Sequence, residues 1–292
     1  MKRKYLVQAL LVCLIAASCT NSNKTKISSE IDTEVDYAGD FSKAKQIFYA
    51  LPSPVETAYL IQNTGVPYNI DLANPVSNAD NYSTTMQKAL NFGVYGADLS
   101  YASLFNQTQT SIQYMATTKK LADELGILDF VKEDIVSRIE GNINNRDSLM
   151  EIITDGFVGA SDNLKETDRA EVAALVVAGG WIEGLYLATS LTDITANNSK
   201  LIDLVIDQRL SLSILIRLMN NYKKDSGIAK VCGWLDELQS AYDHVKIVSG
   251  ENQLETEDGK TTISSNSDYF INDVIFKAIC QKTDSIRSII VK

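Results

Sequence analysis

Histidine is almost missing from this chain: His244 is the only one among 292 residues. One histidine excludes a His-Glu-x-x-His zinc site, and with the two cysteines that remain once Cys13 and Cys19 are set aside it falls short of a typical structural zinc site. His244 stands beside Asp243 in a helical stretch, and no Gly-x-Ser-x-Gly elbow accompanies it. A Ser-His-Asp or Cys-His arrangement therefore has no frame to sit in. Neither a Gly-x-Gly-x-x-Gly run nor a Walker loop occurs, so the usual nucleotide motifs are absent, and Asp258-Gly259 is not in an EF-hand frame. No metal, no cofactor and no catalytic residue is expected from motifs. Basic residues are also short, 27 against 37 acids for a net charge of −10. That balance argues against nucleic acid, whose recognition depends on neutralising phosphate, and against an electrostatic grip on anionic lipid. Proline is confined to four positions between Pro52 and Pro75, and the chain beyond them has none. Long helices need such a stretch, because proline removes a backbone donor and clashes with the preceding turn.

What is present begins at the N-terminus. Met1-Lys2-Arg3-Lys4 is a positive cap, and Tyr5 to Ala17 is apolar except for Gln8. At about 13 residues this run suits a signal-peptide hydrophobic region and is too short to span a bilayer. Ile15-Ala16-Ala17-Ser18-Cys19 follows, with a polar stretch from Thr20 to Ser29. Small residues before a cysteine resemble the lipobox of bacterial lipoproteins, with Ala16 where leucine is common. The resemblance covers the first twenty or so residues. It implies cleavage after Ser18 and lipid on Cys19. Ala16 and Ser18 also meet the small-x-small rule of an ordinary signal peptide, which cuts at the same bond without lipid. The organisation expected is a signal peptide over 1–18, a lipid-anchored polar tether over 19–40, and a single helical domain over 41–292. Lys2, Arg3 and Lys4 leave with the signal, so the mature chain is more acidic still.

From Phe41 onward the apolar residues recur near every 3.6 positions rather than every second one, which is the period of a helix. The pattern predicts helices over Phe41–Ala50, Val55–Asn63, Tyr82–Phe105, Thr108–Leu125, Asp129–Glu140, Arg146–Phe157 with a break at Gly159, Asp168–Ser190 capped by Thr167, Lys200–Tyr222, Ile228–Val248 and Tyr269–Val291. Ser249 to Ser267 is acidic and polar and reads as a mobile loop. Short connections favour antiparallel neighbours. The fold class is all-α, a bundle of roughly ten mostly antiparallel helices. Cys232 and Cys280 remain after Cys13 and Cys19 are accounted for. Two readings of them stand open: a disulfide between C-terminal helices, or two buried thiols acting as small hydrophobes.

Two helices carry unusual residues. Ala89, Gly93, Gly96 or Ala97, Ser100 and Ser103 form one strip of small side chains, and Gly180, Gly184 and Ala188 form another. Glycine costs a helix about 1 kcal/mol relative to alanine, so its use calls for a close neighbour. Glu183 stands inside the apolar run Val172 to Leu187, and a lone buried acid is expensive unless paired or functional. If the two helices cross closely, Tyr95, Asp98, Tyr101, Trp181, Glu183 and Tyr186 gather near one place. Three outcomes are open there: a buried polar network that sets helix register, a ligand site with aromatic walls, or a carboxylate pair of the kind glycosidases use. Eight of the thirteen tyrosines fall between Tyr37 and Tyr114, which suits either an interaction surface or core packing with hydroxyls at the rim.

An exported acidic helical domain behind a loose lipobox resembles the uncharacterised lipoproteins of Bacteroides-type bacteria, a likeness of style that transfers no active site. Such bacteria tend to mark surface export with acids just after the cysteine. Thr20-Asn21-Ser22-Asn23-Lys24 has none, so the resemblance implies the periplasmic face of the outer membrane. The function expected is a non-enzymatic binding or scaffold protein of the cell envelope with an envelope protein as partner. The alternatives are a glycan or small-ligand binder, and a carboxylate-based hydrolase, each with a cleft near Asp98 and Glu183.

Overall fold

Several of the helices start where the local sequence supplies a side-chain acceptor for the orphan amides of a first turn. The computed structural model describes residues 51–127, 138, 141–142, 145–192, 199–257 and 260–292. The expected signal peptide, Cys19, the tether, the helix over 41–50 and nearly all of the helix over 129–140 lie outside them. Ser53 caps α1 (Pro54–Asn63) by accepting from Glu56 N at 3.1 Å, with Pro54 in the first turn. Two short 3₁₀ turns follow, Ile70–Leu72 and Val76–Asn81. Thr84 and Gln87 close a reciprocal capping box on α2 (Thr85–Leu104). Next come α3 (Thr108–Glu124), α4 (Arg146–Glu166), α5 (Ala170–Ser190), α6 (Ser199–Asn220) and α7 (Ser226–Tyr242), the last capped by Asp225. A hairpin of β1 (Lys246–Glu257) and β2 (Lys260–Phe270) precedes the final helix α8 (Asp273–Ile290).

The class is all-α, and the described residues fall within one compact unit. Its axis is the pair α2 and α5, which run against each other over most of their length. Residues Ala89 to Leu104 of α2 are buried without interruption, and α5 is buried almost all round. A helix apolar on every side must be enclosed by protein or lipid. By length and composition α5 would cross a membrane, but 89% of its apolar window is buried inside the bundle. Around this pair pack α1, α3, α4, α6 and α8, while α7 bridges α6 and α8.

Three sequence expectations change in the structure. Residues 249–267 fall within an antiparallel hairpin rather than a loop, in register from Lys246↔Phe270 to Glu257↔Lys260 with an irregularity between Ser249 and Asn252. The polar composition hid the period of two, and the Asp258-Gly259 dipeptide, a strong hairpin signal, was the cue. Helix α4 does not break at Gly159 but continues to Glu166, because Ala160, Asn163 and Leu164 beyond it are buried. Thr167 does not cap α5; its hydroxyl donates back to Asn163 O at 2.8 Å and ends α4, and Asp168 turns the chain with φ of 56°.

Candidate functional site

Two glycine contacts set the distance between α2 and α5. A Cβ on Gly93 would lie 2.0 Å from Val176 O and 2.6 Å from Gly180 N. One on Gly179 would lie 1.9 Å from Leu90 O. No side chain fits in either gap, so the two backbones touch. The second small strip has a different neighbour from the first: a Cβ on Gly184 would meet Thr57 Cγ2 at 2.8 Å, and one on Gly180 would meet both Gly93 O and Pro54 at 3.2 Å. Gly180 and Gly184 thus give room to α1 as well.

That close crossing places Asp98 of α2 and Glu183 of α5 near one another in the core. Both are fully buried, at 0% exposure. The counter-charge comes from α8. Arg287 Nε donates to Glu183 Oε2 at 3.1 Å and its Nη2 to Oε1 at 3.1 Å. This is the two-pronged geometry that makes an arginine–carboxylate pair strong. The same Nη2 also donates to Leu72 O at 3.1 Å, and the guanidinium lies 4.4 Å from the centre of the Tyr186 ring. Asp98 Oδ2 accepts from Asn74 N at 3.1 Å.

The electrostatics follow from burial. Burial first, and then the Glu183 charge, raise the Asp98 carboxyl well above the ordinary range. Burial also raises Glu183, against the opposing pull of Arg287. Desolvation works to lower Arg287, but Glu183 prevails and holds it fully charged.

A second layer of polar groups seats the end of α8. Asn91 Nδ2 donates to Ile290 O at 2.8 Å, and Tyr82 OH donates to Val291 O at 3.3 Å. Asn74 Nδ2 donates to Tyr82 OH at 3.0 Å. The last carbonyls of a helix have no partner inside it, and here buried side chains from the neighbouring helix and loop supply one.

The six residues expected together therefore separate. Asp98, Glu183 and Tyr186 meet around Arg287. Tyr95 turns to the loop and donates to Pro75 O at 2.9 Å. Tyr101 accepts from Asn69 N at 2.9 Å and packs beside Tyr68, whose ring centre is 4.7 Å away. Trp181 faces α6 and donates from Nε1 to Ser211 Oγ at 3.0 Å. Arg287, Asn74 and Asn91 are the members that sequence reasoning missed. Arg287 had a signal, as the lone cation in the apolar segment Ile286 to Ile290 of an amphipathic last helix.

Two cavities lie elsewhere. One of about 260 Å³ is bounded by Leu51 to Pro54, α4 and the Trp181 side of α5. The other, about 510 Å³, lies between the start of α2 and the helices α7 and α8, beside Trp234. Neither is lined by Asp98 or Glu183. Cys232 and Cys280 are free thiols, so the disulfide reading gives way. Cys232 is sealed in the core as a small apolar residue, and burial pushes the Cys280 thiol up to about 11. Among the described residues no group of three histidine, cysteine or acidic side chains is placed to hold a metal ion. No protein-family model matches this chain, and no curated protein or solved structure matches it.

Proposed function

We propose that this chain is a lipid-anchored, non-enzymatic binding or scaffold protein of the cell envelope, held through Cys19 and facing the periplasm from the outer membrane. The lipobox-like run Ile15 to Cys19 supports the address. The observation that carries the non-enzymatic reading is the state of Glu183: fully buried and held by both arms of Arg287. A hydrolytic carboxylate pair needs two acids open to substrate and water. Here the paired acids are part of the core, where they fix how three helices meet. The envelope-protein partner is argued from the address, together with the absence of any catalytic motif.

The test has two arms. Mass spectrometry of the N-terminal peptide from membrane-extracted protein should find cleavage after Ser18 and acyl chains on Cys19, and Cys19→Ser should release the protein from membranes. An unmodified Cys19 in a soluble fraction overturns the anchor. Cross-linking in intact cells, followed by purification through the folded domain, should yield one reproducible envelope protein. Hydrolysis of a glycan by the purified wild type, lost in Glu183→Gln of undiminished stability, overturns the non-enzymatic reading.

A further inference from the structure

Asp98 and Glu183 lie fully buried with one guanidinium to balance two acids, and a hydrogen bond between two carboxyl groups needs a proton on one of them, since two carboxylates only accept. The other partners decide which acid carries it. Glu183 accepts two hydrogen bonds from a guanidinium, which offers donors alone and favours an ionised partner. Asp98 has a single neutral amide on Oδ2, and its buried Oδ1 accepts from no donor. An ionised carboxylate so poorly served would be costly at full burial. As the donor of a hydrogen bond, the same Oδ1 is satisfied.

The groups around the pair are consistent with one positive and one negative charge. Arg287 faces it from α8 and Glu183 from α5, with Tyr186 under the guanidinium. Tyr95 and Tyr101 approach Asp98 from α2, Tyr68 from the loop, and Tyr114 from α3, while Tyr82 lies nearer Glu183 and Arg287. Burial holds all five of these phenols neutral, so they add no charge.

We propose that Asp98 is a protonated acid in the folded protein, donating to the Glu183 carboxylate, and that this proton is the catch that keeps α8 seated on the bundle. When it leaves, the core holds two carboxylates against one guanidinium, and the uncompensated charge loosens the packing on which α8 is seated. The step is a plain acid dissociation, with the proton passing to water.

The sign of the effect follows from linkage. Unfolded Asp98 gives up its proton near pH 4, whereas the folded group keeps it. Over that interval the folded state binds one more proton, so stability falls as pH rises, by about tenfold in the unfolding constant per pH unit. Infrared spectroscopy of the purified full-length wild type in heavy water at neutral pH should show a protonated-carboxyl carbonyl band. That band should vanish in Asp98→Asn, whose amide keeps both a donor and an acceptor. Cys280, on α8, reports the catch: its alkylation rate, relative to unfolded protein at the same pH, should rise with pH in the wild type and stay level in Asp98→Asn. No protonated carboxyl at neutral pH in the wild type overturns the proposal, whether or not the variant folds. Equal pH slopes of Cys280 labelling in the two proteins overturn the role of the proton in holding α8.

Discussion

Arg287 reaches back 104 residues along the chain to hold Glu183 with two hydrogen bonds of 3.1 Å each. The acid lies on a helix so apolar that it would otherwise be expected to bury no charge. The cation lies on the edge of the most amphipathic of the described helices, with its side chain 11% exposed. Removing either partner leaves the other charged and buried, which typically costs about 3–5 kcal/mol. Glu183→Gln and Arg287→Met should each lose that much in urea denaturation. Glu183→Gln combined with Arg287→Met should lose far less than the sum, because no unpaired charge remains. Additive losses in the double variant would show that the two residues do not act as a pair.

Gly93→Ala and Gly179→Ala should be among the most damaging alanine substitutions in the chain. The added methyl meets backbone carbonyl groups, which cannot swing aside as a side chain does. Overpacking of a core costs about 1–3 kcal/mol, and these sites belong at the upper end. Gly233→Ala is the matched control: it also lies within a helix, but nothing stands within 4 Å of its new Cβ. It should gain about 0.4–1 kcal/mol by restricting the unfolded chain. Thermal melts of the three variants separate the cases.

The crossing and Gly93 were legible in the sequence because glycine inside a long helix has few other uses, but Gly179, whose contact is as tight, lay outside the second strip, and Gly184 of that strip faces Thr57 of α1. Glu183 was legible as an acid needing a partner. Its partner was not, because nothing local in the sequence reports a contact between α5 and a helix so much later in the chain. Tyr95, Tyr101 and Trp181 were placed on the right helices but on the wrong sides of the problem. Each has a polar tip that found the nearest backbone or hydroxyl group, Pro75, Asn69 and Ser211 in turn. The hairpin over 246–270 escaped because its sequence is too polar to show an alternating pattern.

The buried thiol of Cys232 and the half-buried thiol of Cys280 should both resist modification in the folded protein. Cys232 is inaccessible, and a Cys280 thiol pushed up to about 11 is almost wholly uncharged at neutral pH. The thiolate is the reactive form. Maleimide labelling at pH 7 should therefore be slow, and unfolding without reductant should release two fast-reacting cysteines. Release that requires a reductant would show that Cys232 and Cys280 are bridged.

Asn91→Ala should loosen the end of α8 before it loosens the rest. The side chain supplies the donor for Ile290 O, and an orphaned buried carbonyl costs about 1–3 kcal/mol. Amide exchange followed by mass spectrometry should show faster exchange over residues 284–292, with α2 and α5 nearly unchanged. Uniform acceleration across the bundle would mean that α8 has no separate opening.

The position of Arg287 also has a bearing on how the chain is made. A ribosome delivers α2 and α5 long before it delivers residue 287. Until then Glu183, a fully buried acid, has no counter-ion, and the two central helices cannot settle around its charge without penalty. Synthesis from the N-terminus thus makes the central crossing before the cation that balances it, and Arg287 is the last part of this network to arrive.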